Sequence, residues 1–166
     1  KLREILIAWR LEAALSKAFR MEVTIEGKLG LVFSPGPHIT MEHAHVRNRG
    51  TELAFAKEAD MAIEVLPLLR QEFRYRHIAT KGARIYIERD REGHYNYERP
   101  PIPEITRPLD LPKVSFADLT FVFADKPTDG GFEATACNGE LIDLRHPGGA
   151  PFLKRISLTG QFTCGD

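Results

Sequence analysis

The feature that most constrains this chain is a period-two alternation of apolar and polar residues, clearest over Met21–Phe33. Val23 and Ile25 alternate with polar neighbours, and the alternation resumes at Leu29 after Gly27-Lys28. A residue pattern with a period of two is typical of a strand with one buried face, and a glycine turn between two such runs indicates a hairpin. The stretch therefore predicts two amphipathic strands joined by a tight turn.

The same alternation recurs to the end of the chain and predicts further strands. They lie at His38–Val46, Ala54–Val65, Glu72–Thr80, Ala83–Glu88, Val114–Ala124, Phe132–Asn138, Leu141–Leu144 and Ile156–Cys164. Gly82 separates the third of these from the fourth. Because the segments follow one another as a meander, we expect an antiparallel sheet with one apolar face. Leu66-Pro67-Leu68-Leu69 predicts a short turn or a single helical turn.

Residues 1–20 predict an amphipathic helix. Leu2, Ile5 and Trp9, and further on Leu11 and Leu15, fall at spacings of three and four, so one apolar stripe can pack on the sheet. The alternative is a helix that lies on a membrane by that stripe. Further along, prolines are dense over residues 99–113, which predicts an extended linker. We therefore expect one domain, residues 1–166, with a helix (1–20), a first β-meander (21–98), the linker (99–113) and a second β-meander (114–166).

Charge and cysteine content disfavour several functions. Lys plus Arg (23) equals Asp plus Glu (23), so the chain has no net field to recruit nucleic acid. Cys137 and Cys164 are too few for a disulfide scaffold and lack C-x-x-C spacing, although one disulfide between them stays open in an oxidising compartment. Five charged residues within 2–19 rule out a membrane span there. We expect the chain to be a piece of a longer protein.

No constellation of side chains demands catalysis. His43 and His45 would share one side of a strand, with His38 nearby, but a third firm metal ligand is missing. The chain has no G-x-S-x-G, H-E-x-x-H or glycine-rich phosphate loop, and neither cysteine has a histidine close in sequence. We therefore predict a protein that is not an enzyme, with no metal and no cofactor. The basic region from Arg70 to Arg91 indicates a solvated sheet face or, alternatively, a surface that meets anionic lipid headgroups.

The order of features over residues 2–96 resembles the amino-terminal domain of the AsmA family. That family has a helix after a membrane anchor, a strand-Gly-strand hairpin ending near a proline, a polar strand with a basic turn, a Leu-Pro-Leu-Leu-like turn, an apolar strand and an Asp-x-x-Gly-x-x-Asn turn. The matching segments here are Leu2–Phe19, the hairpin around Gly27 with Ser34-Pro35, Ile39–Asn48, Leu66–Leu69, Ala83–Glu88 and Asp90–Asn96. Tyr97 stands where the family often has tryptophan, and the second half of the chain is similar only in rhythm.

The resemblance implies a mainly β (α+β) fold in which an N-terminal amphipathic helix caps a curved antiparallel β-sheet or groove. AsmA-like proteins are anchored in the inner membrane of double-membraned bacteria, project into the periplasm and are thought to carry phospholipid along a chorein-like groove. The resemblance therefore implies phospholipid and, through an anchor upstream of Lys1, the inner membrane as partners. A scaffold that pairs a strand edge with an outer-membrane or periplasmic protein, and carries no lipid, is the alternative.

On the lipid-transfer hypothesis, the residues that line the groove are those of the apolar faces. They are Val23, Ile25, Leu29, Leu31, Phe33, Met61, Ile63, Val65, Ile85, Ile87, Leu119, Phe121, Phe123, Leu158 and Phe162. Acyl chains need a continuous apolar surface, whereas headgroups must stay wet, and an alternating sheet supplies both. The alternative is that the same positions form a closed core under the helix.

Overall fold

The computed structural model describes residues 2–19, 21–68, 74–98, 111–144 and 155–164, and it confirms a mainly β fold. Two helices are present in this part of the chain, α1 (Leu2–Phe19) and the single turn α2 (Val65–Leu68). The strands are β1 (Glu22–Ile25), β2 (Leu29–Val32), β3 (His38–Asn48), β4 (Thr51–Ile63), β5 (Tyr75–Arg89), β6 (Leu111–Asp125), β7 (Gly130–Leu144) and β8 (Arg155–Cys164). They form one eight-stranded sheet in the order β1-β3-β4-β5-β6-β7-β8, with β2 also paired to β3.

The sheet is not wholly antiparallel, which corrects the predicted meander. β5 and β6 pair in parallel, from Ile78 opposite Val114 to Arg89 opposite Asp125. A parallel pair needs a crossover connection rather than a hairpin, and the residues between these strands include the predicted proline linker. Residues 99–110 of that linker lie outside the described residues, and β6 begins at Leu111, so the linker ends before residue 113. The two predicted meanders are therefore halves of one sheet.

The predicted hairpin around Gly27 is also wrong. β1 and β2 do not pair with each other; each pairs antiparallel with β3, one after the other along it. The Gly27 amide donates to the Glu42 carbonyl at 3.0 Å, and the Glu42 amide donates to the Lys28 carbonyl at 2.9 Å. A Cβ on Gly27 would lie 2.6 Å from the Glu42 Cβ, so glycine is required by this close approach. The two runs form one interrupted edge strand.

Longer strands replace some of the predicted short ones. The chain does not turn at Gly82, because β5 continues through it from Tyr75 to Arg89. The predicted segments at Phe132–Asn138 and Leu141–Leu144 are likewise parts of the single strand β7. Gly82 has a φ of 59°, so it marks a local irregularity inside a strand rather than its end.

Helix α1 lies along the edge strand β1. The Val23 amide donates to the Ser16 hydroxyl at 2.9 Å, and the Ile25 amide donates to Glu12 Oε1 at 2.7 Å. These two amides belong to alternate residues, so they point away from β3, and without the helix they would be an unpaired edge. Leu15, which is 1% exposed, joins the buried cluster on the sheet. Side chains of α1 thus complete one edge of the sheet.

The parallel pair is fastened where both strands end. The Arg89 guanidinium donates two hydrogen bonds to the Asp125 carboxylate, at 2.6 and 3.0 Å, and the Lys126 amide donates to the Arg89 carbonyl at 3.0 Å. Thr128 donates a further hydrogen bond to Asp125 Oδ2 at 2.6 Å. The hydrogen bonds from Arg89 and Thr128 lower the pKa of Asp125. These hydrogen bonds to the Asp125 carboxylate fix the ends of β5 and β6 relative to each other.

Candidate functional site

The predicted groove-lining residues on the described strands share one face of the sheet with the hydrophobic core. Val23, Met61, Ile63 and Leu119 are buried in the core cluster, and Ile25, Leu29, Ile85 and Phe121 are partly buried against it. Ile87 lies opposite Phe123 in register, two residues beyond the pair formed by Ile85 and Phe121. We call this surface the apolar face.

The apolar face is continuous although the alternation of apolar and polar residues is interrupted within the strands. In β6 its residues Phe116 and Leu119 are three apart, and in β7 Ala134 and Cys137 are also three apart. A spacing of three in a regular strand would place the two side chains on opposite faces. Each strand therefore shifts its alternation by one residue, so that both of its halves keep their apolar residues on the same side.

These shifts lie side by side across the sheet. Residues with positive φ interrupt β3 at His43, β5 at Gly82, β6 at Asp118 and β7 at Ala136, with φ values of 52°, 59°, 54° and 53°. In β4 the corresponding residue is Lys57, which falls between the register pairs on either side of His43 and Gly82. We call these five residues the bulge row. A left-handed residue inside a strand re-aims the side chains that follow it, which accounts for the shifts in β3, β5, β6 and β7; Lys57 is not among the residues with positive φ, and β4 shifts in step with its neighbours.

Small side chains line the apolar face next to the bulge row. Ala44 lies opposite Ala56, and Ala56 lies opposite Ala83 on the next strand. Farther across the sheet, Cys137 is fully buried and Ala134 is 1% exposed. The predicted lining residues did not include these positions, because only large apolar side chains were chosen. The spacing of three between Ala56 and Ala59 was the sequence signal that could have revealed them.

Exposure differs along the apolar face. α1 contributes Leu11 and Leu15 to the core, and it contacts β1. On β5 and β6, Ile85, Ile87, Phe121 and Phe123 are only partly buried. Phe132 of β7, 39% exposed, contacts the rings of Phe121 and Phe123 at centroid distances of 5.6 and 5.7 Å. The β5–β7 half of the apolar face therefore offers aliphatic and aromatic surface that is not sealed.

Some predicted lining residues are exposed, and others cannot be placed. Leu31 lies opposite the core residue Ile39 in register, so it is on the apolar face, but it is 53% exposed. Phe33, just beyond the end of β2, is 68% exposed, and neither residue belongs to the buried cluster. Leu158 lies opposite Gly139 and Phe162 opposite Ala134, which puts both backbone positions in rows of the apolar face. The side chains of these two residues and of Val65 lie outside the described part of the structure.

The disulfide that the sequence left open between Cys137 and Cys164 is not formed. Cys137 is a free, buried thiol, and Cys164 lies opposite Phe132, five positions from Cys137 along β7. Five strand residues span about 16 Å, far more than the Cα separation a disulfide allows. The prediction that the two cysteines lie on neighbouring strands was sound, but the register separates them. Burial raises the pKa of Cys137, so its thiol stays protonated at neutral pH.

The histidines considered as metal ligands are engaged in other contacts. The His45 ring lies 3.1 Å from a Glu52 oxygen and 3.5 Å from a Glu26 oxygen, and its centroid is 4.9 Å from that of Phe55. His38 contacts the Gly36 carbonyl at 2.8 Å. The described residues contain no group of three His, Cys, Asp or Glu side chains placed to hold a metal ion.

Polar side chains cover the opposite face of the same strands. Tyr86 donates a hydrogen bond to Glu88, two residues along β5, and this bond together with burial raises the pKa of Tyr86 to about 12. Arg47 donates to the Thr24 hydroxyl at 3.2 Å across β1 and β3. The sheet therefore has one apolar side and one hydrogen-bonded polar side, as an amphipathic sheet requires.

Comparison with known proteins identifies no relative: no family model, no curated protein and no solved structure matches this chain. The resemblance to the AsmA family therefore stays a prediction. Within the described residues, no helix has the length and apolarity that crossing a membrane would demand.

Proposed function

We propose that the apolar face holds the acyl chains of phospholipid, and that the chain is a periplasmic module of an inner-membrane-anchored, AsmA-like lipid-transfer protein. The observation that carries this proposal is the continuity of the apolar face across the bulge row. Every strand from β3 to β7 keeps its apolar residues on one side despite a shift in its alternation. A sheet that needed only a small closed core would not require that continuity along strands of 15 residues.

The dimensions support acyl-chain binding. A 15-residue strand is about 50 Å long, whereas one leaflet of a bilayer has a hydrocarbon depth of about 15 Å. Each methylene removed from water contributes about 0.8 kcal/mol, so contact area alone holds a two-tailed lipid without a specific polar site. Such binding is uniform along the face, so a lipid can move along it.

Partial exposure of the β5–β7 half supports the same proposal. Ile87, Phe121, Phe123 and Phe132 retain accessible surface, while α1 contributes its buried leucines to the core. In this proposal the acyl chains lie against β5–β7 and complete the burial of those rings. The register shifts in β6 between Phe116 and Leu119, and in β7 between Thr135 and Asn138, bend those strands, so they would curve the β5–β7 half of the sheet around its cargo.

The alternative, a scaffold that pairs a strand edge with a partner, also has a structural basis. Among the described residues β2 pairs only with β3, and β8 pairs only with β7, so each has one edge on which another strand can add. The two functions differ in cargo. Mass spectrometry of an organic extract of the purified chain should find stoichiometric phospholipid for a carrier and none for a scaffold.

Site-specific photo-crosslinking tests the location of the lipid. A benzophenone amino acid in place of Phe121 places the probe on the apolar face, whereas the same residue in place of Val122, the next position of β6, places it on the opposite face. In cells of a double-membraned bacterium, irradiation should give phospholipid adducts at 121 and few at 122. Equal yields at both positions, or no adduct at 121 with the fold intact by circular dichroism, would refute the proposal.

A further inference from the structure

Four exposed apolar side chains lie at one end of the sheet and belong to two separate elements. Leu31, Val32 and Phe33, at the end of β2, are 53%, 38% and 68% exposed, and Leu66 of α2 is 78% exposed. We call these four residues the apolar end. Single exposed apolar residues are ordinary, but several at one place indicate a binding surface.

The sheet register brings the two elements together. Val32 lies opposite His38, and His38 lies opposite Ala62 on β4. The Ile63 amide then donates to the Pro37 carbonyl at 3.0 Å, and α2 begins two residues later. The end of β2, the turn that follows it and α2 are therefore neighbours at the same end of the sheet.

The segment that contributes three of the four residues of the apolar end is uncharged. No Asp, Glu, Lys or Arg occurs from Leu29 to Met41, although 28% of the chain is charged. The turns at the opposite end are rich in charge, as at Arg49-Gly50, Asp90–Gly93 and Lys126–Asp129. This segment loses little when it leaves water, because it carries no Asp, Glu, Lys or Arg side chain to desolvate, and Glu64 and Arg76 beside α2 are paired with each other at 3.1 Å.

Helix α1 is directed toward the apolar end. Ser16 binds Val23, and Glu12 binds Ile25, so the helix runs antiparallel to β1 and its amino terminus points toward β2. Trp9, one helical turn before Glu12, is 66% exposed. Tryptophan on a surface that meets a membrane typically lies at the headgroup level.

We propose that the apolar end inserts into the surface of a phospholipid bilayer. A stable protein–protein interface buries about 800 Å² on each partner, whereas four such side chains expose only a few hundred Å² at most. Small protruding apolar tips suit shallow insertion into a bilayer, and the Arg76 guanidinium, which pairs with Glu64 at 3.1 Å, keeps a side chain that is 69% exposed at this end, where a headgroup phosphate can reach it. The inference rests on the proposed function for its role, which is to place the apolar face where lipid can enter it.

Vesicle flotation tests the insertion directly. The 166-residue chain is mixed with vesicles of phosphatidylethanolamine and phosphatidylglycerol at a ratio of about three to one, a headgroup mixture with anionic charge. The double variant Phe33→Ser/Leu66→Ser should lower the partition coefficient by about tenfold or more, because each side chain loses most of its transfer free energy. Tyr97→Ser, which removes an exposed aromatic ring from the opposite end, is the matched control and should bind like the wild type.

The outcomes separate this inference from the proposed function. Absence of vesicle binding by the wild type, or equal binding by the double variant, would overturn it. So would sedimentation showing that the apolar end mediates self-association, with monomers in the double variant and no vesicle binding by either. Phospholipid adducts at position 121 test the apolar face independently. A double variant that loses vesicle binding but keeps those adducts would show that insertion into the bilayer depends on the apolar end and not on the apolar face.

Discussion

Substitutions within the bulge row test most directly whether left-handed residues shift the alternation of the strands. Ala136 has a φ of 53° and an exposed side chain. Left-handed backbone costs a residue with a Cβ about 1–2 kcal/mol, whereas glycine costs about 0.5–1 kcal/mol through the added freedom of the unfolded chain. Ala136→Gly should therefore raise the free energy of unfolding by about 0.5–1 kcal/mol.

Two comparison variants should move stability in the opposite direction. Ala134, two residues earlier in β7, is 1% exposed and is not among the residues with positive φ. Ala134→Gly loses a buried methyl group as well as chain rigidity, so it should cost about 1.5 kcal/mol. Gly82→Ala puts a Cβ on a residue with a φ of 59°, only 3.1 Å from the Lys57 Cβ, and should cost about 1 kcal/mol.

The assay is urea unfolding followed by far-ultraviolet circular dichroism, with the slope of the transition checked for constancy. Two Ala→Gly changes two residues apart in one strand should have opposite signs. If Ala136→Gly destabilises as much as Ala134→Gly, the left-handed conformation at 136 is wrong, and so is the explanation of the shifted alternation.

Two further predictions concern the sheet edge and the parallel pair. The double variant Glu12→Ala/Ser16→Ala removes both side-chain acceptors for the edge amides of β1 and should lower the free energy of unfolding by about 2–3 kcal/mol. The control Glu22→Ala changes an exposed residue of β1 itself and should change the free energy of unfolding by under about 0.5 kcal/mol. Equal effects of the two would contradict the edge role of α1. Because hydrogen bonds from Arg89 lower the pKa of Asp125, its stabilising contribution is present above the unfolded-state pKa of about 4 and is lost as the pH falls below it. Asp125→Asn should therefore lower the urea midpoint at pH 7 more than at pH 3, and a deficit independent of pH would argue against the ion pair.

Local sequence pattern predicted the strands better than their partners. Alternation reports which face of a segment is buried, and the segments it marked lie in strands over most of their described length. Val65 is an exception, because it was predicted to end a strand and instead begins α2. It carries no information on what lies beside them, so β1 and β2 were predicted to pair with each other although both pair with β3. The parallel pairing of β5 with β6 depends on a crossover between distant residues and is equally invisible in local pattern.

The bulge row was hidden for a different reason. Gly82 gave a signal, but the glycine indicated a turn as readily as a bulge. His43 and Asp118 belong to residue types that adopt left-handed backbone more often than most, but one such residue inside an alternating run does not single out an irregularity, and Ala136 gave no signal at all. The sequence predicted the large side chains of the candidate site but not its alanines, because the role of a small residue depends on which side chains pack around it.

The alignment of the bulges has a consequence for how such a chain can change in evolution. An insertion or deletion in the middle of one strand would put its two halves out of step with both neighbours and turn half of its side chains over. Distant homologues should therefore conserve the number of residues between Phe116 and Leu119, and between Ala134 and Cys137, even where the residue types diverge. Changes in length should collect in the connections between strands.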